Sequence, residues 1–237
     1  MLTLENLVIT QDDFRLTADF SVAAGALTAV IGPSGAGKST LLSVIAGFFA
    51  AASGRVLWND EDITDTAPGE RPLSILFQDQ NLFPHLTVGQ NVGLGLRADL
   101  RLSAAQQASV DEALRRTGLA GLEGRKPATL SGGQQSRVAL ARTLLRARPL
   151  MLLDEPFSAL GPALKAEMLA LVAGIASETG ATVLMVSHDP DDAHRLADQT
   201  ILVAEGKAHP PRSTAALFAD PPPALAAYLG RGGLSDR

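Results

Sequence analysis

The pattern of apolar and polar positions predicts β-strands at the start of the chain. The segments LTLENLVI, FRLTADFSV and GRVLWN, within residues 2–59, are typical of strands, and the second alternates apolar and polar positions. Between the second and third lies ALTAVIG, an apolar run typical of a fully buried parallel strand, which glycines and an amphipathic helix follow. We therefore expect an antiparallel edge beside a strand, loop and helix unit.

The middle of the chain is predicted to be helical. A second buried strand, LSILFQ, ends at Gln78, and from about residue 84 to 130 the pattern changes to that of helices. One helix opens on Ser103 and Gln106, which have the spacing of a capping box, and ends before Gly118. We interpret this segment as a helical subdomain inserted into the α/β chain.

The second half returns to alternating helices and strands. Helices are predicted from Ser131, Pro162 and Pro190, each followed by an apolar strand: LMLLD, TVLMVS and QTILVAEG. The pattern predicts one α/β domain over residues 1–230, with a mostly parallel core sheet, an antiparallel β subdomain and the helical subdomain. Three prolines in DPPPALAAYLG predict no regular helix there, and residues 231–237 are predicted to be disordered.

Composition narrows the possible functions. The formal net charge of −5 provides no general attraction for nucleic acid, so we expect no nucleic-acid partner. The absence of cysteine excludes disulfides, cysteine-based zinc sites and thiol catalysis. Acidic residues near the N-terminus argue against an export signal. The apolar stretch LLSVIAGFFAAASG is shorter than the roughly 20 residues that span a bilayer, so we expect a buried helix.

A phosphate-binding loop is the strongest motif. The sequence GPSGAGKST matches G-x-x-x-x-G-K-[ST] between a predicted strand and a predicted helix. Its glycines let backbone amides surround phosphates, Lys38 reaches the β- and γ-phosphates, and the Ser39 hydroxyl coordinates Mg²⁺. Kinases, GTPases and motor ATPases share this loop, so the reaction stays open. The predicted loop comprises Gly32, Pro33, Ser34, Gly35, Ala36, Gly37, Lys38, Ser39 and Thr40.

Two adjacent carboxylates end the predicted strand LMLLD. Open α/β sheets place their ligands at this edge, so Asp154 is predicted to bind Mg²⁺ and Glu155 to act as the general base. A pair of solvated acids before the turn at Pro156 is the plain structural alternative. The chain has no N-K-x-D stretch, so guanine specificity has little support.

A second anion-binding pattern, LSGGQ at residues 130–134, carries no lysine or arginine. Free N–H groups in a first helical turn attract negative charge, so Ser131 and the amides that follow it are candidates for binding phosphate. The structural alternative is a capping box between Ser131 and Gln134, and the two interpretations are compatible.

Taken in order, GPSGAGKST, Gln78, LSGGQ, LMLLDEP and a histidine after LMVS resemble the ATP-binding cassette ATPases over essentially the whole chain. The resemblance implies binding and hydrolysis of ATP with Mg²⁺ in a head-to-tail homodimer. It also implies that Gln78 senses the metal and water, and that His188 hydrogen-bonds the γ-phosphate. Residues that complete the nucleotide site of a second copy are then Ser131, Gly132, Gly133 and Gln134.

The chain departs from this family at two positions. Gly161 stands where the family has Asp, so coupling between the two nucleotide sites is in doubt. As a helix N-cap, glycine costs only a few tenths of a kcal/mol, so the fold should tolerate it. Gln11 stands near the position of the family's adenine-stacking aromatic residue. Phe14 is the nearest substitute, at even odds with a purely core role.

Within the family, the chain resembles the ATPases of bacterial thiamine importers along nearly its full length. That resemblance implies an integral membrane permease and a periplasmic substrate-binding protein as partners, with the ATPase at the cytoplasmic face of the inner membrane. We expect Phe83, Leu86 and Val88 to be exposed and to receive the permease, with packing of the helical subdomain as the alternative. Import of iron, molybdate or polyamine, a soluble ABC ATPase, and a small-molecule kinase remain open.

Overall fold

The order of strands and helices follows the prediction. A computed structural model describes residues 1–79, 81–158 and 160–230, so the predicted disordered tail at 231–237 lies outside the described residues. The strands are β1 (Leu2–Gln11), β2 (Phe14–Val22), β3 (Leu27–Ile31), β4 (Ser53–Trp58), β5 (Glu61–Asp62), β6 (Leu73–Leu76), β7 (Leu150–Asp154), β8 (Thr182–Val186), β9 (Gln199–Ala204), β10 (Lys207–Ala208) and β11 (Arg212–Ser213). The helices are α1 (Lys38–Ala46), α2 (Val88–Gly93), α3 (Ala104–Arg116), α4 (Gly132–Leu145), α5 (Pro162–Thr179), α6 (Pro190–Leu196), α7 (Thr214–Ala219) and α8 (Pro223–Tyr228), with a 3₁₀ turn at Pro127–Thr129.

A parallel sheet forms the centre of the fold. Its strand order is β9, β3, β8, β7, β6, and β3 lies between its two partners with Val30 opposite Val186 and Ile201. The strands run as nearly continuous apolar segments because helices cover both faces. The carboxyl ends of β3, β6 and β7 therefore meet at one edge of the sheet. The predicted α/β fold with a mostly parallel core is confirmed.

An antiparallel subdomain extends this sheet at one side. Strands β5, β4, β1 and β2 are neighbours in that order, and β10 joins β2 to β9. Leu4 and Leu7 are both buried although they are three positions apart, which a strict two-residue alternation does not allow. The register shifts between them, and Asn6 has a left-handed backbone (φ 45°), so a bulge returns Leu7 to the core face.

Two helices, one in the predicted insertion and one directly after it, begin with side-chain caps. Capping boxes join Ser103 to Gln106 before α3 and Ser131 to Gln134 before α4, as the sequence predicts. The segment 84–130 contains α2, α3 and the 3₁₀ turn. Its apolar cluster also includes Val138 and Ala141 of α4, so this helix packs against both subdomain helices.

Two sequence predictions about helices were wrong in part. The prolines of DPPPALAAYLG do not preclude a helix, because α8 begins at the third of them, Pro223, where a missing N–H costs nothing. Leu225 of α8 is fully buried against Leu217 and Phe218. The apolar stretch after Leu41 is helical only as far as α1, because Gly47 takes a left-handed conformation (φ 85°) that ends the helix.

Beyond Gly47, Phe48 and Phe49 are about half exposed, so the predicted burial of this stretch fails there. Across residues 1–79, 81–158 and 160–230, no helix has both the length and the apolar character that crossing a membrane requires.

A buried arginine caps the C-terminus of α1. Arg71 is only 2% exposed, and its Nη1 donates to the carbonyls of Val44 and Ile45 at 3.0 and 2.7 Å. Its Nε and Nη2 donate to the carbonyls of Thr66 and Thr64 at 2.8 and 2.6 Å. The last carbonyls of a helix lack partners within it, so this guanidinium satisfies them and fixes α1 to the loop after β5.

We expect Arg71→Leu to lower the free energy of unfolding by about 2 to 4 kcal/mol, because two buried and two partly buried carbonyls would lose their donor. Urea denaturation followed by circular dichroism measures this change. The matched control is Arg55→Leu, which removes an exposed ion pair with Glu5 and should cost less than about 1 kcal/mol. Equal losses for the two variants would contradict the capping role.

Candidate functional site

The phosphate loop leaves the centre of the sheet after Ile31 and enters α1 at Lys38. Gly32 has a φ of 149°, and a Cβ there would lie 2.0 Å from the carbonyl oxygen of Val203 on β9. Gly37 has a φ of 98°, and its Cβ would lie 2.3 Å from the ring of Phe14. Both positions therefore require glycine for conformation and for space.

Lys38 is buried and faces its own loop. Its side chain is 6% exposed, and Nζ donates to the carbonyls of Gly32 at 2.9 Å and Pro33 at 3.0 Å. Burial lowers the pKa of Lys38, while the nearby charges of Glu155 and Asp154 oppose the change. An ammonium group has three N–H donors, so these two bonds leave a third for an anion in the cavity.

A cavity of about 370 Å³ opens beside the loop. That volume lies within the range of ordinary ligand pockets. Phe14 packs partly against the core and also lines this cavity, so its core contact is observed and adenine stacking stays a prediction. The lining residues are Gln11, Phe14, Ser34, Gly35, Gly37, Lys38, Ser39, Thr40 and Glu155.

Asp154 and Ser39 meet although 115 residues separate them. The Ser39 hydroxyl donates to Oδ1 of Asp154 at 2.9 Å, which joins the start of α1 to the end of β7. Burial raises the pKa of Asp154, the bond from Ser39 opposes the change, and the charge of Glu155 adds to it.

These two oxygens fit a magnesium ion. Mg²⁺ prefers hard oxygen ligands and commonly binds through one or two carboxylates together with substrate phosphates. The described residues contain no cluster of three or more acidic, histidine or cysteine side chains that could hold a metal. A hydroxyl and a carboxylate beside a phosphate loop therefore match a site that needs the phosphates to complete it.

Glu155 contacts a different side chain from Asp154. Its backbone is left-handed (φ 45°), which is uncommon for a residue other than glycine and turns the chain at the end of β7. Its Oε2 lies 3.1 Å from Nδ1 of His188, which follows β8. Glu155 also lines the cavity, so it lies between the phosphate loop and the histidine.

Gln78 lies in an exposed turn just after β6. Strand β6 pairs with β7, with Leu76 opposite Leu153, so Gln78 is at the same sheet edge as the two acids. In the described part of the chain, Gln78 is not among the residues that line the cavity. The structure therefore brings Gln78 to the same sheet edge, and its predicted role toward the metal and water stays a prediction.

The segment after Leu130 stands apart from the cavity. Ser131 accepts a hydrogen bond from the Gln134 amide at 3.3 Å, and the Gln134 side chain accepts from the Ser131 amide at 3.0 Å. Ser131 and Gly132 are exposed, and a Cβ at Gly133 would lie 2.8 Å from Leu164 of α5. None of Ser131, Gly132, Gly133 and Gln134 is among the described residues that line the cavity.

Sequence patterns missed the polar side chains that surround His188. Lys165 of α5 binds Asp189 and Asp192, Ser187 binds Asp192, and the Tyr228 hydroxyl donates to the carbonyl of His188. A lysine on a helix and a tyrosine near the end of a chain belong to no local motif. Only the N-cap and N1 role of Asp189 and Pro190 could be inferred from the sequence, and it is observed.

Comparison with known proteins identifies the family to which this chain belongs. A family model described as ABC transporter matches residues 17–158, which is more than half of the chain. The chain belongs to the ABC transporter family. Two relatives named "Thiamine import ATP-binding protein ThiQ" align over 230 residues. The one from Cereibacter sphaeroides is 66% identical and the one from Yersinia pseudotuberculosis is 49% identical. The alignments cover 97% of this chain and 100% and 97% of the relatives.

Solved structures agree with this ABC transporter assignment. A dimeric ATP-binding cassette, MJ0796, in a post-hydrolysis state bound to ADP and Pi, superposes with a TM-score of 0.80 at 29% identity. It covers 90% of this chain and 99% of its own. A nucleotide-free cassette from an ABC transporter has a TM-score of 0.83 at 27% identity and covers 93% of this chain and 96% of its own.

The surface predicted to receive a membrane partner is only partly as expected. Phe83 is 45% exposed and Leu86 is half-buried, but Val88 is fully buried in the helical subdomain. The prediction for Val88 was wrong, because it begins α2 and packs into the apolar cluster of α2, α3 and α4. Phe83 instead lines a groove of about 310 Å³ with Phe48, Phe77, Leu94 and Arg142.

Proposed function

We propose that this chain is the ATP-hydrolysing subunit of a bacterial ABC importer that takes up thiamine through a membrane permease. The observation that carries the proposal is its 66% identity, over nearly the full length of both chains, to a thiamine import ATP-binding protein. The site supports the same activity. The phosphate loop, the Ser39 and Asp154 oxygens that fit Mg²⁺, and the Glu155 carboxylate proposed as the base all lie at one edge of the sheet.

Binding of ATP begins at the phosphate loop. The backbone N–H groups of residues 34–40 surround the phosphates, and the third N–H of Lys38 contacts the β- and γ-phosphates. Phe14, on the wall of the same cavity, is the side chain placed to contact adenine. Ser39 and Asp154 would hold Mg²⁺ with Gln78 at the same edge, and the bound ion would neutralise charge on the phosphates.

Glu155 is the proposed general base. A water oxygen attacks the γ-phosphorus, the bond to the bridging β,γ oxygen breaks, and a water proton passes to the Glu155 carboxylate. His188 binds the γ-phosphate and stabilises the charge that develops in the transition state. The 3.1 Å contact between Glu155 Oε2 and His188 Nδ1 supports these paired roles, because it keeps His188 beside a residue that lines the cavity, although His188 itself is not among the lining residues described.

The proposed working unit is a homodimer that binds two ATP molecules. Ser131, Gly132, Gly133 and Gln134 do not line the cavity of their own chain; the first two are exposed and the other two are partly buried. In a head-to-tail dimer they bind the γ-phosphate held by the partner subunit. Without a lysine they bind phosphate weakly alone, so ATP joins the two subunits and its hydrolysis lets them separate.

The proposed site for the permease is the groove that Phe83 lines. Its lining combines the apolar side chains of Phe48, Phe77 and Phe83 with Arg142 and Arg146, so an amphipathic helix of a membrane protein fits it. The chain would then act at the cytoplasmic face of the inner membrane. A periplasmic protein would deliver thiamine to the other side of the permease.

We expect Glu155→Gln to lower ATP turnover by about 10² to 10⁴, because the amide cannot accept the proton from water. ATP should then hold the variant as a dimer on a size-exclusion column. Glu167→Gln, an exposed change on α5, is the matched control and should leave turnover unchanged. Near-normal turnover by the Glu155 variant would reject the assignment.

The shared site is tested by mixing two inactive variants. Lys38→Ala damages the phosphate loop and Ser131→Arg blocks the LSGGQ segment, so neither homodimer should hydrolyse ATP. In a mixed dimer one site combines the intact loop of one chain with the intact segment of the other. We expect mixing to restore part of the activity. If both segments served one site within a chain, mixing would restore nothing.

The cargo is tested by uptake of labelled thiamine in a bacterium whose thiamine-import ATPase has been deleted. The wild-type chain, expressed with its own permease, should restore uptake, and Glu155→Gln should not. Unlabelled thiamine should compete, whereas iron, molybdate or polyamine should not. Competition by one of these, or ATP turnover without recovery of any permease in detergent, would reject the proposed cargo.

A further inference from the structure

The side chain of Lys165 enters a crowded acidic region beside His188. It lies in the first turn of α5, where positive charge is unfavourable because the helix N-terminus is itself positive. Its side chain is nevertheless only 15% exposed. Burial of an ammonium group in this position requires compensating charge, so its partners define what it does.

Two carboxylates of α6 supply that charge. Nζ of Lys165 lies 2.8 Å from Oδ2 of Asp189 and 2.8 Å from Oδ1 of Asp192, whose side chain is 7% exposed. Burial alone would lower the pKa of Lys165, but its bonds to the two acids reverse the effect and raise it. The lysine is therefore charged at neutral pH and joins the first turns of α5 and α6.

The same network also holds the two residues that flank His188 in the chain. Ser187, just before the histidine, donates from Oγ to Oδ2 of Asp192 at 2.5 Å and accepts from the Asp189 amide at 3.0 Å. Asp189, just after it, also caps α6 through its Oδ1. Both neighbours of His188 are thus tied to carboxylates that Lys165 binds, while the His188 side chain points to Glu155.

The other side of the same α5 turn contacts the LSGGQ segment. Leu164 approaches so closely that a Cβ at Gly133 would lie 2.8 Å from its Cδ2. One turn of α5 therefore lies between the segment proposed to bind the partner's ATP and the histidine proposed to bind its own. Gly161, the N-cap of this turn, has no side chain to contribute to that connection.

We propose that Lys165 is a positioning residue that sets the His188 loop through Asp189 and Asp192 and couples it to the first turn of α5. The proposal rests on the proposed ATPase function for its effect on catalysis. Its structural part, the orientation of His188, does not depend on that function.

The first test is a kinetic double-mutant cycle on the full chain, assembled with its permease if turnover requires it. Lys165→Met should lower kcat about tenfold to 100-fold with little change in KM for ATP, because the displaced His188 would lose its contact with the transition state. Lys165→Arg should recover most of the loss. In a His188→Ala background, Lys165→Met should have little further effect.

Glu178→Gln is the matched control, since it breaks an exposed ion pair of the same helix with Arg116 and should leave kcat unchanged. If Lys165→Met does not fold, Asp192→Asn enters the same cycle. An equal loss with and without His188, or a Lys165 variant that behaves like the Glu178 control, would overturn the proposal.

The second test needs no ATP turnover. The chain has four histidines, so the imidazole signal of His188 can be assigned by comparison with His188→Ala in a proton–carbon NMR spectrum. Lys165→Met should shift that signal and Glu178→Gln should not. An unchanged His188 signal would overturn the positioning role, whereas a shift in a chain that hydrolyses no ATP would reject the proposed function alone.

Discussion

The close contact between Gly32 and β9 is the constraint on which the site depends. A Cβ at this position would overlap the carbonyl of Val203, so only glycine lets the loop leave the sheet between β8 and β9 and turn back into α1. The turn places Lys38 against its own loop carbonyls and Ser39 against Asp154. Loop residues from Ser34 to Thr40 then line the cavity, where backbone amides of such a loop bind phosphate.

Three cations, two buried and one partly buried, stabilise this arrangement in an acidic protein. Lys38 donates to the carbonyls of its loop, Arg71 donates to carbonyls at the other end of α1, and Lys165 binds carboxylates of α6. Each is buried only because oxygen atoms replace the water that it loses. The first two hold the same helix at its two ends, while the third holds the loop that carries His188.

The proposed mode of action depends on the separation between the LSGGQ segment and the phosphate-loop cavity of the same chain. Ser131 caps α4 and is exposed, but neither it nor the residues beside it are among the described residues that line the phosphate-loop cavity of the same chain. A phosphate site without a cation needs a second surface to hold the ligand. In the proposed dimer, where one site is divided between two chains, subunit association would depend on the nucleotide.

Local sequence determined the elements of this protein, and tertiary structure decided which of them meet. The phosphate loop, the capping boxes at Ser103 and Ser131 and the apolar core strands were predictable because backbone propensity and hydrogen bonding act within a few residues. The contact of Ser39 with Asp154 needed strand order as well. The burial of Val88, the packing of α8 and the partners of Lys165 were not predictable, because they depend on neighbours distant in the chain.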